Sequence, residues 1–181
     1  MGKPTKLAGK FGKSLTSQMF LNPKTGEEEE FVLFEQRPWS VVLAITEDGQ
    51  VLMVREYKQG RDGIEWELPA GTANFADEAP ETVMRRELRE ETGYEAGKVT
   101  YLGHGWMSSR NSPTQFHCFL ATGCELVGEQ QLDSGEDIER GLVKVDEWLR
   151  MVVAGEINEP SAVMTTMRAL AHLGVCITTK A

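Results

Sequence analysis

Three glutamates, Glu87, Glu90 and Glu91, stand at i, i+3 and i+4 within the stretch from Glu65 to Tyr94. On a helix turning about 100° per residue they share one arc of about 100°. Like charges stacked in this way repel, each pair costing a few tenths of a kcal/mol, so the arrangement calls for free solvation or a compensating cation. One turn earlier the same arc carries Val83 and Met84, so the acids continue a face directed at the protein body. Hard carboxylate oxygens half-covered by protein suit Mg²⁺ or Mn²⁺, which keep some waters and complete their shell with substrate phosphates. Such a cation would gather phosphate oxygens and an attacking water. The spacing leaves a second explanation open. Arg86 and Arg89 are interleaved with the acids, as on an exposed, ion-paired helix.

The elements that must hold these side chains follow from periodicity. Apolar and β-branched runs predict strands near Phe31–Phe34, Ser40–Ile45, Gln50–Glu56, Glu65–Leu68, Val99–Gly105, Phe116–Ala121 and Gly141–Val145. Glu47-Asp48-Gly49 is the turn of a hairpin between the second and third of them. Helical spacing covers Glu81–Thr92, Asp146–Ala154 with Gly155 as stop, and Ser161–Leu173 with Gly174 as stop. Strands with one helix among them and two at the end predict an α+β layered domain.

The 181 residues, 40% apolar and 26% charged, fit one globular domain with a real core. Nineteen basic against 28 acidic residues give a formal charge of −9, which excludes a broad electrostatic grip on nucleic acid or anionic membrane. An anionic substrate then needs local help from a metal or a few placed cations. Cys118, Cys124 and Cys176 lack metal spacing and are odd in number, which predicts reduced thiols and a cytoplasmic setting. No run approaches the ~20 apolar residues of a membrane span, and the first twenty residues lack the apolar core of a signal peptide. Residues 9–14, GKFGKS, fail as a phosphate loop because Leu7 stands where glycine is needed, and Gly2 fails as an acylation site because Lys6 takes the Ser/Thr position. Residues 1–24 hold five lysines and no acid, before a block from Glu27 to Glu30. We expect residues 1–30 to be a mobile arm, or an arm that contributes to a homodimer, followed by the main domain over 31–181.

The stretch also resembles a known family. Gly71, Glu78, then Arg86-Glu87-Leu88-Arg89-Glu90-Glu91-Thr92-Gly93-Tyr94 is similar to the box of the Nudix hydrolases, G-x5-E-x7-R-E-U-x-E-E-x-G-U with U apolar. One departure is that six residues, not five, separate Gly71 from Glu78. The resemblance implies an α/β/α sandwich with a mixed sheet. It implies Glu87, Glu90, Glu91 and a backbone carbonyl of Ala70 or Gly71 as ligands of Mg²⁺ or Mn²⁺, and Arg86 as the residue that orients the glutamates. Val51–Lys58 followed by Glu67-Leu68-Pro69-Ala70-Gly71 is similar to the ADP-ribose and nucleoside-diphosphate-sugar pyrophosphatases. In those enzymes an acidic loop supplies a catalytic glutamate, and Asp133–Glu139 resembles that loop, with Glu136 first choice and Glu139 next.

For substrate contacts the chain offers Trp39, Tyr57 and Trp106 as stacking surfaces and Arg37, Arg55 and Arg110 as phosphate or base partners, although large rings also serve packing. The expected activity is Mg²⁺-dependent hydrolysis of a nucleoside diphosphate sugar of the ADP-ribose or GDP-mannose type. The alternatives are a nucleotide-pool or capped-RNA pyrophosphatase and a Nudix regulator without catalysis.

Overall fold

Ser40-Val41-Val42-Leu43-Ala44-Ile45 is apolar almost without interruption, the pattern of a strand covered on both faces. In the computed structural model, which describes residues 3–75 and 77–175, this run lies within a central strand. Gly2 and Cys176, weighed above, lie outside the described residues. In chain order the elements are β1 (Thr5–Lys10), β2 (Lys13–Leu21), β3 (Glu28–Glu35), β4 (Trp39–Thr46), β5 (Gln50–Lys58), β6 (Gly63–Glu67), β7 (Ala70–Thr72), α1 (Pro80–Thr92), β8 (Tyr94–Glu95), β9 (Lys98–Ser108), β10 (Ser112–Leu126), β11 (Glu139–Lys144), α2 (Val145–Val153) and α3 (Pro160–His172).

The main sheet runs β11-β5-β4-β10-β8, with β6 on β5, β7 on β4 and β9 on β10. It is mixed, because β4 and β10 are parallel while β5 and β9 run antiparallel to their neighbours. Val41, Leu43 and Ile45 pack with Trp148 and Met151 of α2 and Ala162 and Ala169 of α3. Val42 and Ala44 meet Met84 and Leu88 of α1 on the other face. The result is the three-layer α/β/α sandwich. Each fully buried Leu or Val in these layers contributes roughly 1.5–3 kcal/mol, and Leu43, Leu52 and Leu88 are 0% exposed. The turn after β4 closes at Gly49 with φ 77°, as a hairpin turn requires.

Residues 3–30, expected as an arm, hold β1, β2 and the start of β3 in a separate antiparallel sheet, and the expected boundary at 30/31 falls inside β3. The β1–β2 turn uses Phe11 (φ 53°) and Gly12 (φ 73°), both left-handed, a turn that Asn-Gly would have announced and Phe-Gly does not. The acidic block is absorbed by register. Glu28, Glu29 and Glu30 stand opposite Leu21, Phe20 and Met19, Asn22 Nδ2 donates to Glu29 at 2.6 Å, and Ser17 Oγ donates to Glu30. No helix among the described residues is long and apolar enough to cross a membrane.

Candidate active site

Pro80 opens α1, where its missing N–H costs nothing, and Gly93 ends the helix in the left-handed conformation at φ 77°, its N–H on Arg89 O at 2.9 Å. Between these ends the buried row Met84-Leu88 continues directly into Glu91, while Glu87 and Glu90 follow Val83 on the adjoining row. The sequence spacing therefore produces a graded set of carboxylates. Glu91 is buried, Glu87 has 13% of its side chain exposed and Glu90 has 38%.

Arg86 ties the outer two together. Its Nη1 donates to Glu87 Oε1 at 2.7 Å and to Glu90 Oε2 at 3.0 Å, and its Nη2 donates to Thr72 O at 3.1 Å. The buried Glu78 carboxylate lies 3.6 Å from Arg86 Nε and accepts the Asn74 N–H at 2.6 Å, so the loop before α1 is braced on the same guanidinium. Glu91 Oε2 accepts the Ala70 N–H at 3.0 Å. Burial, then the neighbouring Glu87 charge, push the Glu91 carboxyl well above the ordinary carboxylate range, against that hydrogen bond. Burial also raises the Glu87 carboxyl, opposed by Arg86 and reinforced by Glu90 and Glu136.

Gly71 is required here for close approach. A Cβ at this position would lie 1.8 Å from Glu87 Cδ. The extra residue before Glu78 therefore leaves β7 directly against the α1 carboxylates. Among the described residues no three His, Cys, Asp or Glu side chains are grouped so that they could hold a metal ion by themselves, and a hard cation that retains waters can be held by fewer protein ligands. The donors are of the type such an ion takes: Glu87 and Glu90 share Arg86 Nη1, Glu91 is buried on the adjoining row, and the β7 backbone at Gly71 lies against Glu87. We expect Gly71→Ala to raise the half-saturating divalent-metal concentration by about tenfold or more, read by calorimetric metal titration, because Glu87 must leave its place. An unchanged titration would place Glu87 outside the metal set.

The remaining expected residues separate into groups. Arg55, Tyr57 and Glu136 line one cleft together with Glu56 and Glu139. Glu139 is ion-paired with Arg55 at 2.5 Å, Arg55 lies over the Trp66 ring at 5.2 Å, and Tyr57 donates its hydroxyl to Asp62. Glu136 closes its own turn, its N–H on Asp133 O at 2.9 Å and its Oε2 accepting the Asp133 N–H at 2.9 Å. Trp39 packs on Phe116, gives its Nε1–H to Ser161 Oγ at 3.3 Å, and lines a second cavity beside Ala70 and Gly71.

Arg110 is not brought to the carboxylates. It lines a groove with Phe20, Leu21 and Phe31 of the amino-terminal sheet, because the β9–β10 turn reaches over that sheet. Arg37 donates to Asn74 O, and Trp106 is exposed on β9. Sequence reasoning missed Glu56 and Lys58. Glu56 adds negative charge beside Glu91, and the Lys58 ammonium bridges Glu56 at 3.2 Å and Glu67 at 2.8 Å. It also missed Gln130 and Arg140, which reach the end of α1 from 39 and 48 residues away and carry no local pattern.

Comparison with known proteins agrees with this fold. The family model described as NUDIX domain matches residues 35–162. The ADP-ribose pyrophosphatase of Bacillus subtilis (strain 168) is 33% identical over 119 residues, covering 65% of this chain and 64% of that protein. The ADP-ribose pyrophosphatase of Mycobacterium tuberculosis (strain ATCC 25618 / H37Rv) is 32% identical over 123 residues, 67% of this chain and 59% of that protein. The chain thus spans about three fifths of the length of these relatives. A crystal structure of an ADP compounds hydrolase superposes with a TM-score of 0.78 at 19% identity, covering 97% of this chain and 98% of that one, a likeness of fold.

Proposed function

The chain belongs to the NUDIX domain family, and from that premise we propose that it hydrolyses the diphosphate of a nucleoside diphosphate sugar, of the ADP-ribose or GDP-mannose type, with Mg²⁺ as cofactor and Mn²⁺ as substitute. The observation that carries this reading is the carboxylate face of α1, braced by Arg86 with Glu87 against β7, together with the acidic loop of Glu136 in the cleft of Arg55, Glu56 and Tyr57. Glu87, Glu90, Glu91 and the Ala70 carbonyl would hold the metal. Bound there, a divalent cation supplies positive field for the diphosphate and acidifies water.

The chain's own residues do the rest. Arg86 fixes the Glu87 and Glu90 oxygens through one nitrogen. Glu136 takes a proton from the attacking water at its carboxylate, a role that Arg55 denies to Glu139 by pairing with it. Arg55 and Tyr57 contact the nucleotide in the cleft, and Trp39 presents a ring to the second cavity. Water adds to one phosphorus, the bridging P–O bond breaks, and two phosphate monoesters leave. The substrate is a small molecule, and the acidic chain is expected to hold no stable nucleic acid and to stay in the cytoplasm.

Initial rates with ADP-ribose, GDP-mannose, UDP-glucose, nucleoside triphosphates and capped RNA, each with Mg²⁺, test the proposal. Preferred turnover of a diphosphate sugar supports it. Preferred turnover of triphosphates or capped RNA overturns the substrate class, and tight nucleotide binding without turnover overturns catalysis. We place a homodimer contact on the amino-terminal sheet, which exposes Leu7, Phe11, Leu21 and Val32. Sedimentation at micromolar concentration is expected to give twice the 20.2 kDa chain mass, and a monomer would contradict it.

A further inference from the structure

The last carbonyls of a helix have no partner within it. At the end of α1 they are taken by the segment that carries Glu136. Gln131 N–H donates to Glu90 O at 2.8 Å, Arg140 Nη1 donates to Thr92 O at 2.6 Å, and just past the helix Val127 N–H donates to Gly93 O at 3.0 Å. The Glu91 carbonyl is met by a side chain. Gln130 Nε2 donates to Glu91 O at 2.6 Å and to Ile138 O at 3.0 Å. A carboxamide nitrogen has two N–H donors, so both are committed.

This single amide closes a loop. One end of residues 131–137 leaves Gln130 itself, and the other end is Ile138, which is 5% exposed and held by the same nitrogen. Between them the Asp133–Glu136 turn is bonded only to itself among the described hydrogen bonds, and Glu136 is exposed. Its place relative to α1 thus depends on the anchors at the loop ends, the Gln131 N–H on Glu90 O and the Gln130 amide on Glu91 O and Ile138 O. We propose that Gln130 is a positioning residue that clasps the 131–138 loop onto the carbonyl end of α1 and so sets Glu136 against the Glu87, Glu90 and Glu91 face. The inference rests on the assignment of Glu136 as base and adds the element that places it.

Two substitutions separate positioning from stability. Gln130→Met keeps the length and removes both donors, whereas Gln130→Lys supplies three donors on a longer stem. For Gln130→Met we expect kcat to fall by about tenfold or more, because a misplacement near 1 Å can cost 10²-fold, with KM and the half-saturating Mg²⁺ concentration within about a factor of two. Amide hydrogen exchange over residues 132–137 should quicken by about tenfold while α1 keeps its protection. Gln130→Lys should recover most of both quantities. A kcat within about twofold of the parent at a temperature well below Tm, or loop exchange no faster than the parent's, would overturn the proposal. If the parent turns over none of the diphosphates, exchange still decides: faster loop exchange restored by lysine supports the clasp and moves the failure to the proposed activity, and unchanged exchange overturns the clasp.

Discussion

Glu136→Gln is expected to lower kcat by on the order of 10²–10⁴-fold, the range for a lost general base, with the half-saturating metal concentration almost unchanged. Glutamine keeps the size of the side chain but cannot take a proton from water. The prediction is sharp because two competing acids of the cleft, Glu139 and Glu56, are already committed. Glu139 is paired with Arg55 at 2.5 Å, and Glu56 lies against the Lys58 ammonium at 3.2 Å. Among the described residues the Glu136 carboxylate is bound only by the backbone N–H of Asp133, a contact that still leaves lone pairs on both carboxylate oxygens. Added Mg²⁺ should restore nothing. Steady-state rates across a metal titration check this, and a near-parent kcat would pass the base role to Glu139 or to a box glutamate.

Glu90→Gln should fail differently. Glu90 is the most exposed of the three α1 carboxylates, and it shares Arg86 Nη1 with Glu87. Glutamine preserves the volume and a hydrogen-bonding oxygen but removes one unit of negative charge from the face. The half-saturating Mg²⁺ concentration is expected to rise by about tenfold or more, and excess metal should recover part of the lost activity. Calorimetric Mg²⁺ titration reads the affinity without depending on turnover. If the Glu90 variant binds metal as the parent does, the inference from i, i+3, i+4 spacing to a shared ligand face fails.

Spacing put the three carboxylates on one face and left an ion-paired helix open, and the ligand assignment came from the family resemblance. Helix periodicity puts Glu91 in line with Met84 and Leu88, so an apolar row ending in an acid already announces a half-buried carboxylate. All three helices and the seven strand runs fall within or overlap the observed elements, since β4, β5 and β10 carry long apolar patterns. Two short strands, β7 and β8, were illegible, because three and two residues cannot express a period. The first two strands of the amino-terminal sheet, β1 and β2, were illegible for another reason. Lysines, serines and threonines dominate β1 and β2, and their pairing is set by turns at Phe11-Gly12 and at Asn22, whose Oδ1 accepts the Lys24 N–H at 2.9 Å. Glu56, Lys58 and Gln130 reach the α1 end only through tertiary approach, for which neighbours in sequence give no sign. Arg110 shows the converse. A cation in a polar loop suggested a phosphate contact, and the loop instead lies over the amino-terminal sheet.

Phosphorus NMR of ADP-ribose or GDP-mannose turnover in ¹⁸O-enriched water with Mg²⁺ tests diphosphate hydrolysis most directly. Two phosphate monoesters should appear in equal amounts as the diphosphate signal disappears, with ¹⁸O on one of them, because a single water oxygen adds to one phosphorus as the bridge breaks. Persistence of the diphosphate signal, or its replacement by inorganic phosphate in place of two monoesters, would contradict hydrolysis of a nucleoside diphosphate sugar at this site.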